Sequence, residues 1–179
     1  MLKISISFIL AILVVLFIAL FSYGEDKKDY SGDTFSGPDY SIEYPTGWEI
    51  KKGIMGADSV GFSPPEGLND TFRENVNVSL EELPAGMSKE RYLEASIEKM
   101  GTMFGADNLG ELQTTWIGSE PGYVMEYRPT FGQLNLHNDI YIIIKGSSAY
   151  VITCSMLEGA SRSQYADKLT DVAMSFRFK

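Results

Sequence analysis

The chain has one cysteine and one histidine in 179 residues. A lone Cys154 excludes an intramolecular disulfide. It sits in the apolar run Tyr150-Val151-Ile152-Thr153-Cys154-Ser155-Met156 and reads as a small buried hydrophobe. A lone His137 excludes His/Cys clusters with zinc spacing, and no Asp-x-Asp-x-Asp-Gly calcium loop is present. There is no Gly-x-Ser-x-Gly elbow and no glycine loop that would cradle a phosphate. Basic residues are scarce too: 15 Lys and Arg stand against 24 Asp and Glu, a net charge of −9. Such a chain repels phosphate backbones, so nucleic acid is not expected as a partner. No internal repeat and no low-complexity tract is visible.

What the chain does have is an uncharged N-terminal stretch, Ile4 to Tyr23, with an unbroken apolar run from Phe8 to Phe21. Roughly 20 apolar residues at ~1.5 Å each cover a hydrocarbon core of ~30 Å, so residues 4–23 are expected to enter a membrane. Lys3 before the run and Glu25-Asp26-Lys27-Lys28 after it place the rest of the chain on the outer side. The length of the run favours an uncleaved anchor. Ser22-Tyr23-Gly24 also offers small residues for a signal peptidase cut after Gly24, which would release a secreted protein. Without residues 1–24 the charge is −10, read as a solubility feature of an exposed domain.

Residues 25–38, rich in charge, serine and glycine, read as a flexible spacer, and residues 39–179 as one domain. In Tyr40-Ser41-Ile42-Glu43-Tyr44 the large residues share one strand face, Pro45-Thr46-Gly47 turns the chain, and Trp48 starts the return. Asn75-Val76-Asn77-Val78-Ser79-Leu80-Glu81 alternates cleanly, with the apolar side chains inward. A helix is expected over 88–103, capped by Ser88, with Tyr92, Leu93, Ile97 and Met100 on its apolar side. Further strands are expected over 111–117, 123–128, 139–145 and 149–156, the last two joined at Gly146-Ser147-Ser148. A closing helix over 161–174 carries Tyr165, Leu169 and Val172. The sum is an α+β fold, an antiparallel sheet with helices on its faces.

Several groups could carry chemistry. His137 and Asp139 are a partial triad in an expected loop, where a lone histidine is usually solvated. Glu81-Glu82 reads as a charged strand end, and Glu90, Glu94 and Glu98 as a solvated helix face. No catalytic residue, cofactor or metal ligand set is expected. Asn69 and Asn77 head Asn-x-Ser/Thr sequons and are candidate glycosylation positions, Asn77 as a solvent-facing ladder residue. Trp116, Tyr127 and Arg128 are the candidate binding surface, amphipathic or cationic groups near a sheet edge.

The order of these pieces resembles the PsbP family, extrinsic proteins of the oxygen-evolving side of photosystem II and their relatives outside photosynthesis. "YSIEYPTGW" is similar to the family's opening aromatic-x-Ile-x-Tyr-Pro-x-x-Trp strand, and "NVNVSL" to its Asn-Val-x-Val strand. "GSSAYVITCSM" and "YADKLTDVAMSFRF" resemble its late strand and closing helix. The resemblance implies an α/β/α sandwich around a central antiparallel sheet (PsbP-like) and a non-enzymatic accessory module acting on an envelope protein. Metal binding is associated with the family, and His137 is the only imidazole available for it. The basic surface by which plant members dock on the photosystem has no counterpart in this acidic chain. A small-molecule or divalent-cation-binding module is the alternative reading.

Overall fold

The computed structural model describes residues 34–54, 56–67 and 70–179. The apolar segment 4–23, its cleavage site, most of the spacer and Asn69 lie outside the described residues. Among the described residues no helix is long and apolar enough to cross a membrane.

Strands are β1 (Thr34–Ser36), β2 (Tyr40–Glu43), β3 (Glu49–Lys52), β4 (Ser59–Phe62), β5 (Asn75–Glu82), β6 (Gln113–Ile117), β7 (Glu120–Tyr127), β8 (Thr130–Phe131), β9 (Leu134–Lys145), β10 (Ser148–Leu157) and β11 (Arg177–Phe178). Helices are α1 (Lys89–Phe104) and α2 (Ala160–Met174). The large antiparallel sheet runs β3-β4-β5-β10-β9-β7-β6, with β8 pairing on β9, and a small sheet runs β1-β2-β11. This is the α+β PsbP-like sandwich. The spacer is shorter than expected: Thr34–Ser36 pairs with β2, and Phe35 is buried in the core. An apolar side chain with a strand edge beside it gains more from packing than from staying in solvent.

Alternation along the central strands sends two sets of side chains to two cores. Val76, Val78, Ile152, Cys154 and Met156 face α2, meeting Tyr165, Leu169, Val172 and Phe176. Met125, Tyr127, Ile140, Ile142 and Val151 form the other core with Tyr92, Leu93 and Met100 of α1. Ser88 caps α1 as expected, its Oγ accepting from the Arg91 N–H at 3.3 Å. At the sheet end Tyr40 stacks on Phe176 at 5.1 Å, and Phe178 lies edge-on to Tyr150 at 4.9 Å.

Tyr40, Ile42 and Tyr44 all point into the core, as their spacing requires. The turn after them closes with the Trp48 N–H donating to Pro45 O at 3.1 Å, Gly47 taking a φ of +85°. Trp48 packs on the core, half-buried, with its ring 6.4 Å from that of Tyr44. Trp48→Ala should lower the melting temperature by several degrees, since a ring of this size contributes more than 1 kcal/mol. A melting temperature equal to that of the parent in a calorimetric scan contradicts the packing role.

One buried carboxyl couples the two layers. Glu74, just before β5, accepts from the hydroxyls of Ser161, on α2, and Ser63. Burial, opposed by the Ser161 bond and reinforced by Glu66 and Asp70, raises its pKa above the ordinary value of 4.5. The folded state therefore holds this proton more tightly than the unfolded chain. The Glu74 contribution is most favourable below about pH 4.5 and is lost as pH rises through the folded pKa. Glu74→Gln should flatten that fall: its stability relative to the parent, from urea melts, rises between pH 4 and 7. A constant difference over that range refutes the coupling.

Candidate functional site

His137 is not in a loop. Strand β9 begins at Leu134 rather than 139, and places His137 opposite Met156 of β10 with 2% of its surface exposed. The expected start is late because the polar run His137-Asn138-Asp139 separates Leu134 and Leu136 from the apolar residues that begin at Ile140, and the β10 pairing supplies what the local pattern lacks. Once the strand is extended, two-residue periodicity puts His137 and Asp139 on one face. The β7–β9 register sets Glu126 directly across from Asp139.

The result is a cluster of one imidazole and three carboxylates at the α2 end of the sheet. His137 Nε2 lies 3.1 Å from Asp139 Oδ1 and 3.7 Å from Glu126 Oε2. Its Nδ1 is 3.4 Å from Glu158 Oε1, at the start of the β10–α2 connection, but makes no hydrogen bond there. Proximity without alignment leaves a buried ring nitrogen unsatisfied. Arg128 reaches Glu126 at 3.0 Å and Glu158 at 3.7 Å, and Arg162 lies 3.8 Å from Glu158. These guanidinium groups hold the outer carboxylates in place and offset part of their charge.

One ligand atom each from Glu126, His137 and Asp139 lies within 4.8 Å of the others. Four-coordinate zinc, with bonds of about 2.0–2.2 Å to nitrogen and oxygen, sets its ligand atoms about 3.4 Å apart. The observed 3.1 and 3.7 Å bracket that spacing. The mixed N/O donor set suits zinc or a similar divalent ion rather than a soft, thiolate-seeking one. Glu158, against the second ring nitrogen, stands where an orienting carboxylate stands in histidine metal sites. The residues present therefore fit a divalent cation.

The same geometry offers little for catalysis. Among the described residues the hydrogen-bond partner of His137 is Asp139, and no serine hydroxyl reaches the ring. Cys154 is buried, its Sγ donates to Leu169 O at 3.3 Å, and burial holds its thiol well above the usual range. That is an inert thiol.

The other candidate residues separate. Arg128 belongs to the cluster just described. Tyr127 is not on a surface: it points to the opposite face, fully buried against Phe104 at a ring distance of 5.1 Å. Arg128, one residue past the end of β7, is exposed and pairs with Glu126, so it shares no surface with the buried Tyr127. Trp116 is 66% exposed on the edge strand β6. It borders a cleft of about 300 Å³ with Lys89, Thr114, Pro121, Tyr123 and Ile144. Asn77 is buried mid-strand on β5, between β4 and β10, rather than solvent-facing, so it offers a glycan no surface. Glu90, Glu94 and Glu98 are exposed, Arg91 pairing with Glu94 at 3.1 Å. Glu81 accepts from Tyr92 Oη at 2.8 Å, while Glu82 is exposed. Sequence reasoning saw His137 and Asp139 but missed Glu126 and Glu158, because only strand register brings these four residues together.

No family model and no curated protein sequence matches the chain. Solved structures do. Cyanobacterial PsbP (CyanoP) from Synechocystis sp. PCC 6803 is similar over 88% of this chain and 99% of its own, with a TM-score of 0.61 and 18% identity. LpqN of Mycobacterium tuberculosis, described as involved in cell envelope biogenesis, matches over 80% and 86%, with a TM-score of 0.55 and 11% identity. A structure from Bacteroides thetaiotaomicron matches 84% of this chain and 49% of its own, with a TM-score of 0.55 and 16% identity. The shared feature is the PsbP-like fold.

Proposed function

We propose that the chain is a non-enzymatic accessory module on the outer side of a membrane, tethered by residues 4–23, which binds a divalent transition cation through Glu126, His137 and Asp139. The observation that carries this reading is the buried imidazole with two carboxylate oxygens at 3.1 and 3.7 Å. Placement on the outer side is supported by the apolar segment with Lys3 before it. The PsbP-like neighbours, one described as an envelope biogenesis protein, agree with that placement. A cation here would bridge β7 and β9 and fix the connection into α2 through Glu158. The module's exposed end would then be ordered for an envelope protein partner.

Calorimetric titration of the chain with Zn²⁺ tests the site. One ion per chain is expected, with His137→Ala abolishing the binding. Equal affinity in the His137→Ala variant would sink the reading.

A further inference from the structure

The large sheet ends in two edge strands of opposite character. Strand β3, Glu49-Ile50-Lys51-Lys52, is mostly charged, whereas β6, Gln113-Thr114-Thr115-Trp116-Ile117, carries no charge at all. Exposed sheet edges are kept from pairing with other chains by charged side chains and proline, and β6 has neither. Its pairing shows which backbone groups it turns outward. Trp116 stands opposite Pro121 of β7. Proline has no N–H, so the two cannot exchange both backbone hydrogen bonds, and Trp116 turns its own N–H and C=O away from β7. Alternation along the ladder turns Thr114, opposite Tyr123, the same way. Among the described residues no strand lies beyond β6 to receive these groups.

The side chains of the same two residues line the cleft of about 300 Å³, together with Pro121, Tyr123, Ile144 and Lys89. Tyr123 and Ile144 are partly buried against the α1 core, so the cleft has an apolar floor. Trp116, largely in water, forgoes the burial that a ring of its size would gain from a partner. Lys89, the first residue of α1, is the one charged residue in the lining. Its nearest carboxylate, Glu90, is 3.8 Å away and both side chains are exposed, so that pair holds the ammonium weakly. The edge therefore offers free ladder groups, an apolar cleft for one large side chain and a cation for an acidic one. An extended peptide answers all three. A small molecule in the cleft would use none of the ladder groups. A second copy of this chain, at a net charge of −9, would meet repulsion.

We infer that β6 is a docking edge for an extended segment of a partner protein. The segment adds as a further strand, sets one aromatic or large aliphatic side chain between Trp116, Tyr123 and Ile144, and places an acidic residue at Lys89. This gives the accessory module proposed above its contact surface; it rests on that reading for the existence of a partner, but not on the cation. His137, opposite Met156 of the α2 core, lies on the other face of the sheet.

The test follows the backbone amides of Thr114 and Trp116 and the Trp116 indole N–H in the full ¹⁵N-labelled chain, held in a zwitterionic detergent. The probe is the capped peptide Thr-Glu-Val-Phe-Val-Glu-Thr, whose phenylalanine and both glutamates share one face in either strand direction. A saturable shift of all three resonances is expected. It should weaken about tenfold or more in Trp116→Thr and in Thr114→Pro, and persist in His137→Ala. The Thr114→Pro change removes an N–H that faces away from β7, which an edge strand tolerates; should it fail to fold, Trp116→Thr decides alone. Replacing both glutamates of the peptide by lysine should weaken binding about threefold or more. No saturable shift overturns the inference, as does binding that the substitutions leave unchanged or that the lysine peptide matches. A dimer of the chain alone that Thr114→Pro abolishes would make the occupant a second copy and also overturn it. Zn²⁺ binding that persists without any peptide response refutes this inference and leaves the cation reading standing.

Discussion

Gly61→Ala should destabilise the fold by about 3 kcal/mol, among the largest effects of any single methyl group added to this chain. Gly61 lies on β4 between Ile50 and Val76, facing the α2 core. A Cβ there would lie 2.2 Å from Tyr44 Cδ1 and 2.3 Å from Cε1. The ring cannot give way cheaply. Tyr44 is buried, its hydroxyl is 3.2 Å from Ser59 Oγ, and Trp48 lies beside it. Either the strand moves, losing pairing with β3 and β5, or the ring moves and strains its turn. The mechanism predicts coupling as well as loss. In Tyr44→Ala the space is free, so adding Gly61→Ala should cost much less than it does in the parent, an interaction of 1 kcal/mol or more. Additive costs in urea melts would show that Gly61 is needed for some reason other than the Tyr44 ring.

Zn²⁺ at about 100 times its dissociation constant should raise stability by about 2.7 kcal/mol, an effect absent in His137→Ala. The other members of the cluster predict a graded series. Asp139→Asn and Glu126→Gln remove a ligand charge and should each weaken binding more than any change outside the cluster. Glu158→Gln leaves the ligand set intact but removes the carboxylate facing Nδ1, and about 10- to 100-fold weaker binding is expected. Arg128→Ala tests the opposite sign. It removes a cation that ties up Glu126 at 3.0 Å, freeing that carboxylate while releasing its position. If position dominates, affinity falls with loss of Arg128; if charge competition dominates, it rises. Either sign is compatible with a site at His137, whereas indifference to all four substitutions is not.

The fold was largely written in local patterns, and the site was not. Tyr40, Ile42 and Tyr44 declared their strand by alternation, and α1 declared itself by Tyr92, Leu93, Met100 and a Ser88 cap. Where alternation was diluted by polar residues, prediction lagged. The local pattern starts β9 at Asp139 and leaves His137 in a loop, whereas the strand begins at Leu134. The same weakness misplaces the polar side of β5. Asn75, Asn77 and Ser79 alternate with valines, and local sequence alone assigns the polar side of such a strand to solvent. Their burial depends on what packs over a face, which is a property of tertiary arrangement. Glu126 and Glu158 illustrate a second limit. They are 11 and 21 residues from His137, and only register across three strands brings them to it. Tyr127 and Arg128 illustrate a third: Tyr127 ends β7 in the core while Arg128, one residue beyond the strand, is exposed, so neighbours in sequence need not share a surface.

The central claim is a cation held by His137, and the chain's single histidine makes that claim directly observable. Long-range ¹H–¹⁵N correlation of the imidazole reports both ring nitrogens without overlap from any other histidine. On adding one equivalent of Zn²⁺, Nε2 should take the shift of a metal-bound nitrogen. Nδ1, which faces Glu158, should show the shift of a nitrogen that does not ligate the ion. An imidazole spectrum unchanged at saturating Zn²⁺ would contradict the account.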